Sequence, residues 1–371
     1  MRIGIEGLPL LFHRTGTSTY THELVQNLRR LNLGDQVMLF ARNQRKGGSS
    51  YHDISYRERL ANYFYKEYRL PQELAEHGIE IYHSPRDMGL PSTSRLPCLT
   101  IMTLHDIILV RRALDYYSPS RAKMYERRLR EKVAEVDHVV TISDFSRRDI
   151  LDWCGIEASR VSVVYDGLSE KFKPVIDESH LAAASNRYQL PPRYILSVGS
   201  TEPRKNLRTA IKAFNQIHRV HGELQLVITG VDYCRIRPEK AFAGLDLTGV
   251  HFAGYIHDDD MAAVYTMAEV LLFPSLYEGF GLPPLESMAC GTPVVTSNST
   301  AIPEIVGDAA ILVDPLNATE IAGALEMVLS STEVRVELVE KGKDKATKYH
   351  WRICAEETRK IYQRVIETRA H

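Results

Sequence analysis

Short apolar runs alternate with helix-period stretches along the whole chain. RIGIEG (2–7), QVMLFA (36–41), IEIYHSP (79–85), CLTIMTLHD (98–106), HVVTIS (138–143) and VSVVYDG (161–167) form one series. YILSVGS (194–200), LQLVITG (224–230), VHFAGY (250–255), VLLFPS (270–275), PVVTS (293–297) and ILVDP (311–315) form a second. Many are apolar at successive positions, as strands buried on both faces are. Helical patterns lie between them, among them 17–31, 206–221, 258–269, 284–289 and 319–329. Such alternation predicts parallel sheets flanked by helices, an α/β fold. Two series predict two doubly wound, Rossmann-like domains, 1–172 and 173–350, joined by the polar, proline-containing LSEKFKPVIDESH (168–180). Ligands of such sheets sit beyond the carboxyl ends of the strands. Two such domains facing each other place the expected site in a cleft between them.

Composition narrows the class. The 371 residues are 44% hydrophobic and 25% charged, with a formal net charge of −1, so bulk charge makes no case for nucleic acid. Cys98, Cys154, Cys234, Cys290 and Cys354 are scattered, with no CxxC pair, and read as reduced thiols of a cytoplasmic protein. The start, MRIGIEGLPL, lacks the pattern of a signal peptide, and no apolar run is long enough for a membrane span.

The chemistry concentrates after strands. In YEGFGLPPLESMACG (277–291), Glu278 lies in a loop and Glu286 in the first turns of a helix that begins near Pro283 or Pro284. Gly279 and Gly281 allow close backbone approach, and the helix start offers free N–H groups to a diphosphate. The plainer alternative is a solvated Glu278 and a Glu286 that only satisfies the helix start. In GSTEPRKNL (199–207), Arg204 and Lys205 open a helix, where the helix dipole disfavours cations unless an anion compensates. RTGTSTY (14–20) is a glycine-containing loop after the first strand, and TLHD (103–106) ends a strand with His105, which as it stands is equally a satisfied strand-end histidine. DDD (258–260) imitates a metal-binding Asp-x-Asp, but its place before a helix is explained by capping. RRALDYYSPSRAKMYERRLREK (111–132) and YFYKEYRL (63–70) mix cations with aromatics; they read as solvated helix faces or as contacts with anionic lipid or a lipid-linked acceptor.

The stretch FPSLYEGFGLPPLESMACGTPVVTSNSTAIPEIVGDAAILVDP (273–315) resembles the signature of the retaining GT-B glycosyltransferases of family 4, whose motif is Glu-x7-Glu. GTSTYTHELVQNL (16–28), TLHD, TISDFSRRDI (141–150), SVGSTEPRKNLRTAIKAF (197–214) and WRICAEETRKIYQRVI (351–366) are similar to further family segments in the same order. The resemblance implies an N-terminal acceptor domain, a C-terminal domain for a nucleotide-diphosphate sugar, and a final helix, 351–371, packing back on the first domain. It implies that Glu286 holds the ribose and that Arg204 and Lys205 meet the diphosphate. Gly281 and Leu282 would offer N–H groups, with Ser200 and Phe280 also at the donor. Gly16 and Thr17 would close over the diphosphate, and Glu278 and His105 would lie near the transferred sugar, with Glu278, His105 and Lys205 as the catalytic set. Relatives often carry arginine where this chain has Ser200. No metal or cofactor is expected beyond the donor sugar nucleotide. EPRKN and SNSTAIPE resemble bacterial mannosyltransferases of surface polysaccharide, which implies GDP-mannose as donor, a glycan or lipid-linked acceptor, and work at the cytoplasmic membrane face. A sugar-nucleotide 2-epimerase of the same fold, or an inactive sugar-nucleotide-binding scaffold, are the competing readings.

Overall fold

The structure, a computed structural model, describes residues 1–11, 16–42, 55–91, 96–230 and 238–370. Cys234, and Arg14 and Thr15 of the loop after the first strand, lie outside them. The chain forms two compact units: Met1–Gly167 with His350–His371, and Leu168–Tyr349.

The first unit holds a six-stranded sheet of β1 (Arg2–Glu6), β2 (Gln36–Phe40), β3 (Ile81–Ser84), β4 (Leu99–Thr103), β5 (His138–Thr141) and β6 (Val161–Val163). Their order is β2-β1-β3-β4-β5-β6, and every pairing is parallel. The second unit holds β7 (Tyr194–Val198), β8 (Gln225–Thr229), β9 (Val250–Gly254), β10 (Val270–Phe273), β11 (Val294–Ser297) and β12 (Ile311–Val313). Their order is β12-β11-β10-β7-β8-β9, again parallel throughout. All twelve strands lie within the apolar runs of the sequence. β4 and β10 are buried along their whole length, which is why those runs do not alternate.

Helices cover the sheets through single apolar stripes. Leu207–His218 turns Leu207, Ala210, Ile211, Phe214 and Ile217 inward at three- and four-residue spacing, onto β7, β8 and β10. Each of the large side chains among them contributes about 1.5–3 kcal/mol by burial. The last helix, Trp351–Ala370, buries Trp351, Cys354, Ala355, Ile361 and Tyr362 against the helix Gly16–Arg30 and β1, so it belongs to the first unit.

The chain passes from the first unit to the second between Gly167 and Leu168, rather than after residue 172. Gly167 lies flat against the backbone of Trp351, and a Cβ there would meet Trp351 N at 2.1 Å, so only glycine fits. The linker is shorter than its polarity suggests. Asp177 accepts hydrogen bonds from the N–H groups of Ser179 and His180 and starts a helix, Glu178–Tyr188, inside the stretch read as linker. No helix among the described residues is long and apolar enough to cross a membrane.

Candidate functional site

In each sheet the strand order reverses direction at one place, and ligands of doubly wound sheets bind there. In the second unit that place is between β7 and β10. The loop after β7 runs through Gly199 and Ser200 into a tight turn, Pro203–Lys205, and Asn206 then takes a left-handed conformation (φ 54°) before the next helix. The loop after β10 runs from Pro274 to Gly281. Asn206 ties the two loops together. Its Nδ2 donates to the carbonyls of Pro274 (3.1 Å) and Pro315 (2.6 Å), and its Oδ1 accepts from Thr209 (2.7 Å). Leu276 N–H donates to the Arg204 carbonyl at 2.7 Å.

This clamp brings Arg204, Lys205 and Glu278 into one ion cluster. Arg204 Nη1 donates to both Glu278 oxygens at 2.9 Å, and Lys205 Nζ donates to Oε1 at 2.7 Å. Arg204 Nε also donates to Glu202 Oε2 at 2.8 Å. The compensating anion that the two cations require is therefore inside the protein, and the four groups sum to zero charge. Burial opposes the charge on Glu278, but Lys205 and Arg204 overcome it and hold the carboxyl below its usual range. Lys205 Nζ also lies 4.8 Å from the centre of the Phe273 ring. The Ser200 hydroxyl accepts from Glu202 N–H at 3.3 Å, at the edge of the cluster.

Glu286 lives in a different environment. It sits on the helix Leu282–Ala289 and accepts from the Tyr265 hydroxyl at 2.8 Å. Burial pushes its carboxyl up to about 7, although Tyr265 and Lys171 pull it down. The helix start carries no side-chain cap. Of its first amide positions, Pro283 and Pro284 have no N–H, so Gly281 and Leu282 carry the N–H groups, and neither has a partner among the described residues. Gly281 has φ 120°, a conformation that L side chains rarely adopt, so the backbone requires this glycine; a Cβ there would also meet Ile302 Cδ1 at 2.7 Å. The Phe280 side chain is buried, edge-on to Tyr349 at 5.6 Å, and serves as wall.

The remaining candidates belong to the first unit. His105 follows β4, and its Nε2 donates to the Pro85 carbonyl at 3.0 Å, which leaves Nδ1 as the unprotonated nitrogen. Burial lowers its pKa, partly offset by Pro85 and Asp87. Asp106 accepts from Ile108 N–H and fixes the turn. Gly16 and Thr17 open the helix Gly16–Arg30, and a Cβ at Gly16 would meet nothing within 4 Å. Sequence reasoning missed a buried chain of hydrogen bonds behind His105. Tyr362 and Thr103 bond the two nitrogens of His83 at 2.6 and 2.7 Å, Tyr20 bonds Thr103 at 2.9 Å, and the Tyr20 ring packs on His105 at 4.8 Å. His83 is hidden inside a strand that is buried along its whole length, and its signal in the sequence is a polar residue within that run.

Asp260 does not cap its helix. Its carboxylate instead accepts from His180 (3.2 Å), Arg187 (2.6 Å) and Tyr188 (2.6 Å), pinning the helix Glu178–Tyr188. In 111–132, Arg111 pairs with Asp149 and Asp152, Arg112 with Asp115, Arg127 with Glu131 and Arg130 with Glu126. In 63–70, Tyr63, Phe64 and Tyr68 are exposed while Leu70 is buried.

Comparison with known proteins identifies the family. Residues 182–345 match the model for glycosyl transferases group 1, and residues 14–172 match that for glycosyltransferase family 4. The chain is 30% identical over 287 residues to the O-antigen chain mannosyltransferase B of Escherichia coli, covering 76% of this chain and 74% of that one. It is 30% identical over 267 residues to the serotype-specific mannosyltransferase WbdA of Escherichia coli, covering 69% of this chain and 32% of that one. Sucrose-phosphate synthase from Thermosynechococcus elongatus shares the fold, with a TM-score of 0.77 at 20% identity over 99% of this chain and 100% of that one. Both halves of the sequence and the two parallel sheets thus lead to one assignment: the chain belongs to the GT-B glycosyltransferases of family 4, the group 1 glycosyl transferases.

Proposed function

We propose that the chain is a retaining mannosyltransferase of surface polysaccharide synthesis, using GDP-mannose as donor and a glycan or lipid-linked saccharide as acceptor. The observation that carries this reading is the Arg204–Lys205–Glu278 cluster at the β7/β10 switch point, beside an uncapped helix start. The sugar assignment is supported by relatives named as mannosyltransferases.

In this reading Arg204 and Lys205 exchange Glu278 for the donor diphosphate, and Glu278 turns to the sugar hydroxyls. Gly281 and Leu282 donate N–H groups to the phosphates, and Glu286 holds the ribose. Gly16, Thr17 and His105 keep the roles that the resemblance gives them. The leaving diphosphate, on the same face as the incoming acceptor hydroxyl, takes its proton as the new glycosidic bond forms and the bond to phosphate breaks. Catalysis is then mainly positioning and stabilisation of leaving-group charge, without a metal. The mannosyltransferase relatives favour neither an epimerase nor an inactive scaffold.

The test is a thermal shift against GDP-, UDP-, ADP- and dTDP-sugars without added metal, since a ligand of the native state raises Tm. GDP-mannose alone should shift the protein, and Lys205→Ala should abolish the shift. A shift by a UDP-sugar instead would overturn the donor. Proton NMR of the first-formed product reports the anomeric configuration, and an inverted product would overturn retention.

A further inference from the structure

The first sheet has its own switch point, between β1 and β3, and the roles above leave it empty of function. A cavity of about 600 Å³, its open mouth included, lies there. Its one lining carboxylate among the described residues, Glu6 at the end of β1, is already engaged. Arg86 Nε and Nη2 donate to Glu6 Oε1 at 2.9 and 2.6 Å, and Ser84 Oγ donates to Oε2 at 2.7 Å. Arg42, Arg59 and Lys66 line the same space, so the described lining residues include four cations and one carboxylate.

One of those cations lacks an anion of its own, and a second, which faces Glu58, keeps an unsatisfied nitrogen. Lys66 Nζ donates to the Met88 carbonyl at 3.2 Å and has no carboxylate at ion-pair distance among the described residues. Arg42 Nη1 is buried with no hydrogen-bond partner among the described residues. A further ammonium, Lys132, donates to the Pro91 carbonyl at 3.0 Å and to no other described residue. Burial, then Lys132 and Arg86, push the Lys66 ammonium down to about 8, and the Glu6 and Glu67 carboxylates do not restore it. Cations crowded and desolvated in this way are relieved by a bound anion. The cavity also has aromatic walls. Tyr65 spends its hydroxyl on Glu73 at 2.7 Å and presents its ring, and Tyr63 stands half exposed.

We propose that this cavity binds a phosphate group carried by the acceptor, held by Lys66, Arg42 and Arg59, with the body of the acceptor against Tyr63 and Tyr65. The word acceptor rests on the glycosyltransferase reading; the phosphate site does not. Phosphate chemistry has two sources here, a soluble sugar phosphate or a lipid-linked one.

The test uses the full chain with its lysines reductively methylated with carbon-13 formaldehyde. The Lys66 signal is identified by its loss in Lys66→Arg and titrated against pH with and without inorganic phosphate. Phosphate should raise the Lys66 midpoint by about one unit. The shift should persist in Lys205→Ala and shrink in Arg42→Ala. An unmoved midpoint overturns the site, and so does a shift that Lys205→Ala removes. Mannose 1-phosphate and phosphatidylglycerol vesicles, with phosphatidylcholine vesicles as control, then distinguish the source. A shift with either phosphate carrier supports the acceptor assignment, and a response to inorganic phosphate alone overturns it. The readout needs neither donor nor turnover, so failure of mannosyl transfer is distinguishable from failure of this site.

Discussion

The internal neutralisation of Arg204 and Lys205 makes a counter-intuitive prediction about Glu278→Gln. The substitution keeps the side chain's shape and removes one negative charge, taking the Glu202, Arg204, Lys205 and Glu278 set from zero to +1. In the free protein this leaves a mostly buried pair broken, at a cost of about 3–5 kcal/mol, or a fall of roughly 10 °C in Tm. An anion bound at the two cations gains what the protein loses. One extra unit charge at about 5 Å and an effective dielectric of about 20 contributes about 3 kcal/mol, or roughly 100-fold in affinity. Inorganic pyrophosphate is the right probe, because it has no sugar for Glu278 to touch. Calorimetric titration should show tighter pyrophosphate binding in Glu278→Gln than in the unmodified chain, and pyrophosphate should recover most of the lost Tm. Unchanged or weaker binding would refute the reasoning, since Glu278 would then not be competing for the cations that meet the diphosphate.

Two further substitutions probe the supports of the site. Asn206→Ala removes the donations to Pro274 and Pro315 and places alanine at φ 54°, for an expected loss of about 3 kcal/mol in urea unfolding. Asn206→Gly should recover about 1 kcal/mol of that, the backbone part, and equal losses would show that the left-handed conformation carries no cost. His83 is buried and neutral, its pKa lowered to about 3 by burial and by His105. The unfolded chain takes up that proton first, so His83 contributes stability above pH 6.5 that drains away as pH falls from 6.5 towards 3, by up to about 1.4 kcal/mol per pH unit. His83→Asn should flatten that slope whatever its absolute stability, and an unaltered slope would remove His83 as its source.

The strands were legible because both faces of each sheet are covered, which writes continuous apolar runs into the sequence. The runs overshoot the strands at their carboxyl ends, where Gly199, Ser200, His105 and Asp106 leave the ladder and enter the loops that carry the candidate residues. What local pattern does not contain is pairing across sequence distance. Glu278 and Arg204 are 74 positions apart, and neither spacing nor propensity announces that each satisfies the other. Asp260 fails as a cap for the same reason: Arg187 and Tyr188, 73 and 72 positions away, offer its carboxylate stronger donors than its own helix start. Asn206 looks from the sequence like an ordinary residue before a helix, and only the neighbouring loops reveal it as a clamp.

Only seven residues separate Glu278 from Glu286, yet the fold pushes their acidities apart, one below the usual range and one up to about 7. Two carboxyls held so differently do different work. Lys205 and Arg204 hold Glu278 as an anion, which the proposed function exchanges between those cations and the sugar. Glu286 is short of donors: beyond Tyr265 its carboxyl is desolvated, and at pH 7 it is about half protonated. Two ribose hydroxyls donating to it would favour the ionised form and drive its proton off. Nucleotide binding at pH 7 should therefore release about 0.4 proton if the pKa falls by about one unit. At pH 9, where Glu286 is already ionised, the release should vanish. Calorimetric titration of GDP in buffers of different ionisation enthalpy measures the number directly, and Glu286→Gln should remove both the release and much of the affinity. A binding enthalpy that ignores the buffer at pH 7 would mean that the ribose does not reach Glu286, and that the raised acidity constant belongs to a buried helix residue with no part in recognition.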